Sequence, residues 1–295
     1  MKIDPELAAT IAVVIDEGTF EAAARRLNVT PSAVSQRIKS LEQQVGRVLI
    51  VRTKPARATE AGEAIVRLAR QLALLEHDAL SALDLDEARG RAITIPLAVN
   101  ADSLATWFLA PLARLSNRHP LVFDVHRDDQ DFTAALLESG TVMAAVTSQS
   151  TPVAGCRVRP LGVLRYEAVA TPGYVARWLP DGTDAAALAR APFVDFDRRD
   201  DLQTDWLRAR GVAPEGIVRH YVPASHDFAA AVRSGLGWGM LPPLQSADAL
   251  ADGTLVKLGG PPISVALYWQ QWNLRSPLLT EIADEIAAEA ARVLE

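Results

Sequence analysis

One face of a predicted helix after Pro31 carries side chains that could read DNA. Its polar and basic residues recur at helical spacing, and together with the basic residues that follow they form the candidate DNA-binding set: Ser32, Ser35, Gln36, Arg37, Lys39, Arg52, Lys54 and Arg57. The opposite face repeats apolar side chains at Val34, Ile38 and Leu41. A recognition helix needs this division, because one face must be held in a core while the other enters the major groove.

The local charge has the sign that DNA binding requires. Residues 25–57 contain eight basic residues and one acid, Glu42, whereas the chain of 295 residues has a formal net charge of −6. A basic segment on an acidic chain indicates a polyanion-binding end attached to a body with another task. The alternative, a small helical subdomain with an ordinary solvated face, would be expected to show mixed signs.

The surrounding elements predict a winged helix-turn-helix over residues 1–59. An amphipathic first helix ends at Gly18, and Thr30 can cap the recognition helix, with Pro31 at its first position. The β-prone segment 48–51 and the basic turn after it resemble a wing.

A linker helix and hinge are predicted over residues 60–90. The apolar residues of this helix step by three and four positions: Ile65, Leu68, Leu72, Leu75 and Ala79. Such a seam is typical of a coiled coil and predicts a homodimer or homotetramer. A helix lying on the body of its own subunit is the alternative.

Residues 91–295 alternate predicted strands and helices, which indicates an α/β domain with helices on both faces of a sheet. The chain leaves the first sheet after Thr147 and returns to it late. This order predicts two lobes around a cleft, with lobe one at about 91–161 and 267–295 and lobe two at about 162–266. Ligands of such sheets bind where strands end and helices begin.

Residues near these strand ends form the candidate effector-binding set. Its members are Asn100, Ala101, Asp102, Ser103, Asp128, Asp129, Thr147, Ser148, Asp197, Asp201, Ala224 and Ser225. Several carboxylates in one pocket would be unfavourable unless a cation joined them. The helix starts at Ser103 and Ser225 offer donors for a ligand carboxylate. The set therefore predicts a basic amino acid, although Asp102 and Ser103 could also simply cap a helix.

The sequence lacks the motifs that would indicate an enzyme, a metal site or a cofactor site. We find no phosphate-binding glycine loop, no nucleophile elbow and no metal-binding pair of histidines, so we predict no catalytic residue, no metal and no cofactor. The single Cys156 excludes an internal disulfide. No apolar run reaches membrane-spanning length and the N-terminus is unlike a secretion signal, so a cytoplasmic protein without membrane contact is expected.

The order and spacing of these motifs resemble the LysR-type transcriptional regulators over nearly the whole chain. The matching features are Ala23-Ala24 with Leu27, Val34-Ser35, Leu41-Glu42, Gly46, Arg52, Thr59, and Gly235-Leu236-Gly237-Trp238-Gly239-Met240-Leu241-Pro242. The resemblance implies a winged helix-turn-helix, a long linker helix, and a two-lobed α/β effector-binding domain resembling a type 2 periplasmic binding protein. It also implies a regulator that binds promoter or operator DNA under the control of a small molecule, with RNA polymerase as a candidate partner.

A narrower resemblance concerns the segment from Asn100 to Trp107, NADSLATW, which is similar to the ArgP/LysG subgroup. Phe196-Asp197, Asp200-Asp201 and Tyr268-Trp269-Gln270 fit the same subgroup, whose members are also labelled chromosome initiation inhibitors. This resemblance implies lysine or arginine as effector and control of a basic amino-acid exporter. The alternative is an organic or aromatic acid. It would prefer basic residues in the cleft, where the strand ends offer Arg127.

Overall fold

The computed structural model describes residues 2–83, 92–127 and 133–295. The chain begins with three helices, α1 (Pro5–Glu17), α2 (Phe20–Arg26) and α3 (Pro31–Val45). Each helix starts at a residue whose side chain accepts a hydrogen bond from a backbone N–H of the first turn, and these residues are Asp4, Thr19 and Thr30. Because capping depends on local sequence, the start predicted for α3, with Thr30 as its cap and Pro31 at its first position, agrees with the structure.

A wing follows α3. It is a two-stranded antiparallel sheet of β1 (Ile50–Val51) and β2 (Arg57–Ala58). Helix α4 (Glu60–Ala82) begins directly afterwards at its cap, Thr59, whose hydroxyl accepts from the Gly62 N–H and donates to the Val48 carbonyl. The segment between α3 and β1 is thereby hydrogen-bonded to the start of α4.

The first turns of α4 belong to the head, residues 2–59, rather than to a free seam. Ile65, Val66 and Ala69 are buried in the same apolar cluster as α1 and α3. The predicted seam included Ile65, but this side chain is only 6% exposed in the single chain and belongs to the head core. Farther along α4, Leu72 and Leu75 are exposed while Leu74 is buried against the body.

The described part of the body contains nine strands. They are β3 (Ile93–Val99), β4 (Leu121–Arg127), β5 (Ala144–Thr147), β6 (Cys156–Ala170), β7 (Phe193–Asp195), β8 (Arg219–Tyr221), β9 (Gly239–Leu241), β10 (Val256–Lys257) and β11 (Ile263–Trp272). Seven of them form one sheet in the order β10-β6-β11-β5-β3-β4, with β9 beside β6. β7 and β8 form a separate parallel pair.

The long strands β6 and β11 connect the two parts of the body. Their antiparallel register shifts between Leu267 and Tyr268, opposite Gly162, close to the predicted lobe boundaries. The apolar pattern of the sequence predicts strands near 164–170 and 264–270, and both β6 and β11 are longer than that. The first five residues of β6, 156–160, are exposed or half-buried, so the apolar pattern does not extend over them.

Nine helices of the described residues pack around these strands. They are α5 (Ala101–Thr106), α6 (Leu109–Arg118), α7 (Thr133–Glu138), α8 (Pro172–Trp178), α9 (Ala185–Leu188), α10 (Leu202–Ala209), α11 (Ser225–Arg233), α12 (Pro243–Ala251) and α13 (Pro277–Val293). The body core contains five buried tryptophans, of which Trp107 follows α5 and Trp269 belongs to β11. In the described ranges, no helix combines the length and apolar content needed to cross a bilayer.

Candidate functional site

The predicted DNA-reading face of α3 is open to solvent. Val34, Ile38 and Leu41 are fully buried and hold the helix on the head core. The opposite face presents three exposed residues and one half-buried residue: Ser32, Gln36, Lys39 and Ser35. Thr30 caps the helix beside this face, and its hydroxyl lies 2.9 Å from the Ser32 hydroxyl.

Arg37 does not share this face. It is half-buried, and its Nη1 lies 3.5 Å from the Thr10 hydroxyl of α1. Successive residues of an α-helix are separated by about 100°, which puts Arg37 next to the buried stripe. The direction of its side chain therefore does not favour the membership of Arg37 in the predicted DNA-binding set.

The wing supplies three exposed basic residues, Arg52, Lys54 and Arg57. The Arg52 guanidinium lies 5.1 Å from the centre of the Phe20 ring, a cation–π contact that restricts its direction. The Ala56 N–H donates to a carbonyl at the end of α1 over 2.7 Å, which attaches the wing turn to the head. The wing turn is thus attached to α1 and α2, and its exposed cations suit contact with DNA phosphates.

Two arginines of α4 connect the head to the body, at what we call the head–body junction. Arg67 donates to the Leu137 carbonyl over 3.0 Å, and Arg70 donates to the Gly140 and Thr141 carbonyls. Arg70 also pairs with Asp16 of α1. One guanidinium therefore ties three segments together. No sequence pattern predicted this junction.

A cavity of about 300 Å³ lies in the body at the starts of α5 and α10. It is lined by four acids, one arginine, polar side chains and an apolar floor: Asn100, Ala101, Asp102, Tyr166, Phe196, Arg199, Asp200, Asp201, Leu202, Gln203, Asp205, Phe228, Met240, Leu241, Gln245 and Val265. Its volume is at the small end of the range for ligand pockets, which suits a molecule of amino-acid size.

Asp102 joins the two sides of this cavity. The Tyr166 hydroxyl donates to its Oδ2 and the Ser225 hydroxyl donates to its Oδ1, each over 2.6 Å. The Gln245 amide donates in turn to the Ser225 oxygen over 2.8 Å. Burial and the neighbouring Asp102 carboxylate raise the pKa of Tyr166 well above its usual value, so the phenol remains a donor. The Asp102 carboxylate is therefore engaged by β6 and α11, while the cap residue of α5 is Asn100, which makes no side-chain cap bond.

Asp200 is the second carboxylate held in the cavity wall. Its oxygens accept from the backbone N–H groups of Phe196 and Leu202, at 3.3 and 3.1 Å, and from the Gln203 amide at 3.2 Å. Burial is the main cause that raises its pKa, and Asp102 contributes, although the hydrogen bonds act in the opposite direction. The wall thus contains an acid whose charged form is disfavoured without a cation.

Asp195, at the end of β7, lies beside this group. It is 1% exposed and its Oδ2 lies 3.4 Å from Nη1 of Arg219. Burial, together with the neighbouring Asp200, raises the pKa of Asp195 to about 7, although Arg219 lowers it. This carboxyl group therefore titrates near neutral pH.

The structure brings only part of the predicted effector set together. Asn100, Ala101, Asp102 and Asp201 line the cavity, and Ser225 reaches it through Asp102. Five other predicted residues are described but do not line it: Ser103, Thr147, Ser148, Asp197 and Ala224. Asp128 and Asp129 lie outside the described residues.

Local packing explains some of these absences. Ser103 lies in the first turn of α5 and is fully buried. The Thr147 hydroxyl accepts from the Gln149 N–H over 3.1 Å. Burial raises the pKa of Asp197, but hydrogen bonds from Arg199 and Asp200 outweigh this effect and lower it, so this carboxylate organises its own loop. Ala224 precedes α11 as its cap residue, without a side chain that could bind.

The prediction missed Tyr166, Asp200, Gln203 and Gln245. Asp200 stands beside the predicted Asp201, and the spacing of the two acids was a usable signal. Gln203 and Gln245 lie within helices, and Tyr166 lies within β6, where nothing in the sequence marks them. The fold alone places them at the cavity.

Two family descriptions match this arrangement. Residues 6–63 match the bacterial regulatory helix-turn-helix protein of the lysR family, and residues 88–291 match the LysR substrate binding domain. The chain belongs to the LysR family. This membership confirms the predicted combination of a winged helix-turn-helix, a linker helix and an α/β effector-binding domain.

Known LysR-family proteins resemble the chain along almost its full length. The HTH-type transcriptional regulator LysG of Mycobacterium tuberculosis is 48% identical over 295 residues, covering 98% of this chain and 95% of that protein. The lysine export transcriptional regulatory protein LysG of Corynebacterium glutamicum is 41% identical over 292 residues, 98% of each chain. The solved structure of full-length LysG from C. glutamicum with bound effector Arg has a TM-score of 0.77 at 39% identity, covering 99% of both chains. This LysR-family chain is accordingly a DNA-binding transcriptional regulator and not an enzyme.

Proposed function

We propose that this LysR-type regulator controls transcription in response to a basic amino acid, lysine or arginine. The observation that carries the proposal is the lining of the cavity, which contains four acids and one arginine: Asp102, Asp200, Asp201, Asp205 and Arg199. Carboxylates gathered in one cavity repel each other, and a ligand with excess positive charge relieves that repulsion.

The relatives support the choice of effector and of target. The solved LysG structure holds Arg, and the C. glutamicum protein carries lysine export in its name. We infer that this chain regulates a basic amino-acid exporter. Binding to the promoter of such a gene would place RNA polymerase within reach as a further partner, and cytoplasmic action follows from this role.

The proposed mechanism is a population shift. Asp102 accepts hydrogen bonds from Tyr166 of β6 and from Ser225 of α11, so a cation entering beside it changes the contacts between the lobes. Ligand binding would therefore favour one arrangement of lobes over another. The head–body junction would pass that change to α4 and to the DNA-reading heads.

Assembly into a homodimer or homotetramer belongs to the same proposal. Leu72 and Leu75 are the exposed large apolar residues of the linker helix, 37% and 41% exposed, and they continue the predicted seam. Pairing of two such helices would present two recognition helices to a two-fold operator. The domain limits we propose are residues 1–59, 60–90 and 91–295, although the head core extends into α4 as far as Ala69.

Isothermal titration calorimetry of the full chain tests the effector. We expect heat from L-lysine and L-arginine, and far weaker binding of norleucine, because the neutral side chain leaves the carboxylates unpaired. Asp201→Asn should weaken both basic ligands more than it weakens norleucine. Ser150→Ala, at an exposed position that does not line the cavity, is the matched control. Tight binding of an organic or aromatic acid, with no heat from lysine or arginine, would replace this proposal with the alternative effector class.

A further inference from the structure

Two buried amide oxygens on the cavity wall have no hydrogen-bond partner among the described residues. They are Oε1 of Gln203 on α10 and Oδ1 of Asn100 at the start of α5. Gln203 is 1% exposed, Asn100 is 4% exposed, and both line the cavity. A buried acceptor without a donor is unfavourable, so each such group needs an explanation. A ligand rich in N–H groups provides one.

The orientation of the Gln203 amide follows from its neighbours. Its Nε2 donates to the Val194 carbonyl over 2.9 Å and to the Asp200 carboxylate over 3.2 Å. Both partners are acceptors, so the nitrogen must face them. The Gln203 oxygen is consequently the free acceptor.

Two carboxylates of the wall, those of Asp102 and Asp200, are already engaged. Both oxygens of Asp102 accept hydroxyl hydrogen bonds, and both oxygens of Asp200 accept from backbone or amide groups. These acids supply negative charge, while the two amide oxygens supply acceptor positions without a present partner. A ligand that pairs with both the negative charge and the two amide oxygens would therefore carry a positive charge together with N–H donors that point in several directions.

Resting on the proposed function, we infer that Gln203 and Asn100 make this cavity select a guanidinium over an ammonium, and hence arginine over lysine. A lysine ammonium has three donors on one nitrogen, whereas a guanidinium spreads five donors over three nitrogens in a plane. The guanidinium can donate to acceptors on α5 and α10 from different nitrogens. A lysine side chain has to reach both oxygens from its single ammonium nitrogen, so we expect it to pair with them less well and to bind more weakly.

Calorimetry of the full chain with L-arginine and with L-lysine tests this selectivity. We expect arginine to bind about tenfold or more tightly than lysine, as a hydrogen bond to a charged group implies. Gln203→Met, which removes the amide, and Asn100→Ala should each reduce the ratio of the two dissociation constants several-fold. Asn100 makes no side-chain cap bond to α5, so its variant can be tested even where Gln203→Met disturbs the fold.

Thr204→Val is the matched control. Thr204 neighbours Gln203 on α10, is 4% exposed, and has an unpartnered hydroxyl, but it does not line the cavity. The ratio of the dissociation constants for lysine and arginine in Thr204→Val should equal the ratio in the unaltered chain. Equal affinities for arginine and lysine in the unaltered chain, or an unchanged ratio in a folded Asn100→Ala variant, would overturn the inference and leave the proposed function standing. Absence of heat from both amino acids would overturn the proposed function and the inference with it.

Discussion

Gly62→Ala should destabilise the head, although glycine-to-alanine changes inside helices ordinarily stabilise by about 1 kcal/mol. Gly62 lies in the first turn of α4, and a Cβ built there would be 2.0 Å from the Leu49 carbonyl oxygen and 3.3 Å from the Ala58 Cβ. Ordinary contact requires about 3.4 Å, so the Leu49 backbone would have to move by roughly 1.4 Å.

That movement is resisted by the attachments of Leu49. Its carbonyl accepts from the Thr59 N–H over 3.0 Å, and its N–H donates to a Glu42 carboxylate oxygen over 2.9 Å. Weakening two hydrogen bonds costs about 2 kcal/mol, and overpacking adds roughly 1–3 kcal/mol. After the helix-propensity gain, we expect a net loss of about 2–4 kcal/mol.

Urea unfolding separates the two parts of the chain, because all six tryptophans lie at or beyond position 107. Far-UV circular dichroism should show an earlier transition for Gly62→Ala, while tryptophan fluorescence of the body changes less. Operator affinity should fall, since Leu49 leads into the wing. Gly173→Ala in α8 is the control, because a Cβ there meets no atom within 4 Å, and it should be neutral or stabilising by up to about 1 kcal/mol. Stability and operator affinity equal to the unaltered chain in Gly62→Ala would refute this reasoning.

Three further outcomes follow from the described contacts. Arg70→Ala removes a guanidinium that is 10% exposed and joins the head to the body. We expect the free energy of unfolding, measured with urea, to fall by about 2 kcal/mol or more; an unchanged unfolding curve would contradict the role of Arg70 in the head–body junction. Replacing Leu68 and Leu72 by aspartate should dissociate the oligomer in sedimentation velocity, whereas aspartate at the exposed Leu83 should not; retention of the oligomer by the double variant would remove the seam. Burial raises the pKa of Asp195 to about 7 from an ordinary 3.8, so between these pH values the folded state binds a proton that the unfolded state has lost. The free energy of unfolding should therefore fall as the pH rises from about 4 to 7, by up to about 1.4 kcal/mol per pH unit. Asp195→Asn should remove that dependence in urea unfolding from pH 5 to 8, and parallel profiles would contradict the assignment.

The local sequence decided the head and many of the element limits. Thr30 and Gly46 bound the recognition helix because capping and left-handed backbone depend on neighbouring residues. The apolar patterns of the sequence predict a strand at 93–99 and a last helix at about 277–293, and β3 and α13 have these limits. The apolar periodicity of α3 likewise determines which side chains remain available to DNA, since three buried residues leave only the opposite face.

The cavity was decided by the tertiary structure. Tyr166 is 64 positions from Asp102 and Ser225 is 123 positions away, yet both donate to its carboxylate. The same holds for the junction of Arg70 with the Thr141 carbonyl, 71 positions apart. Helical and strand periodicity describes which residues are buried, because burial follows from one element at a time. Which polar groups meet depends on how separate elements pack, and that information is carried by no single stretch of the chain.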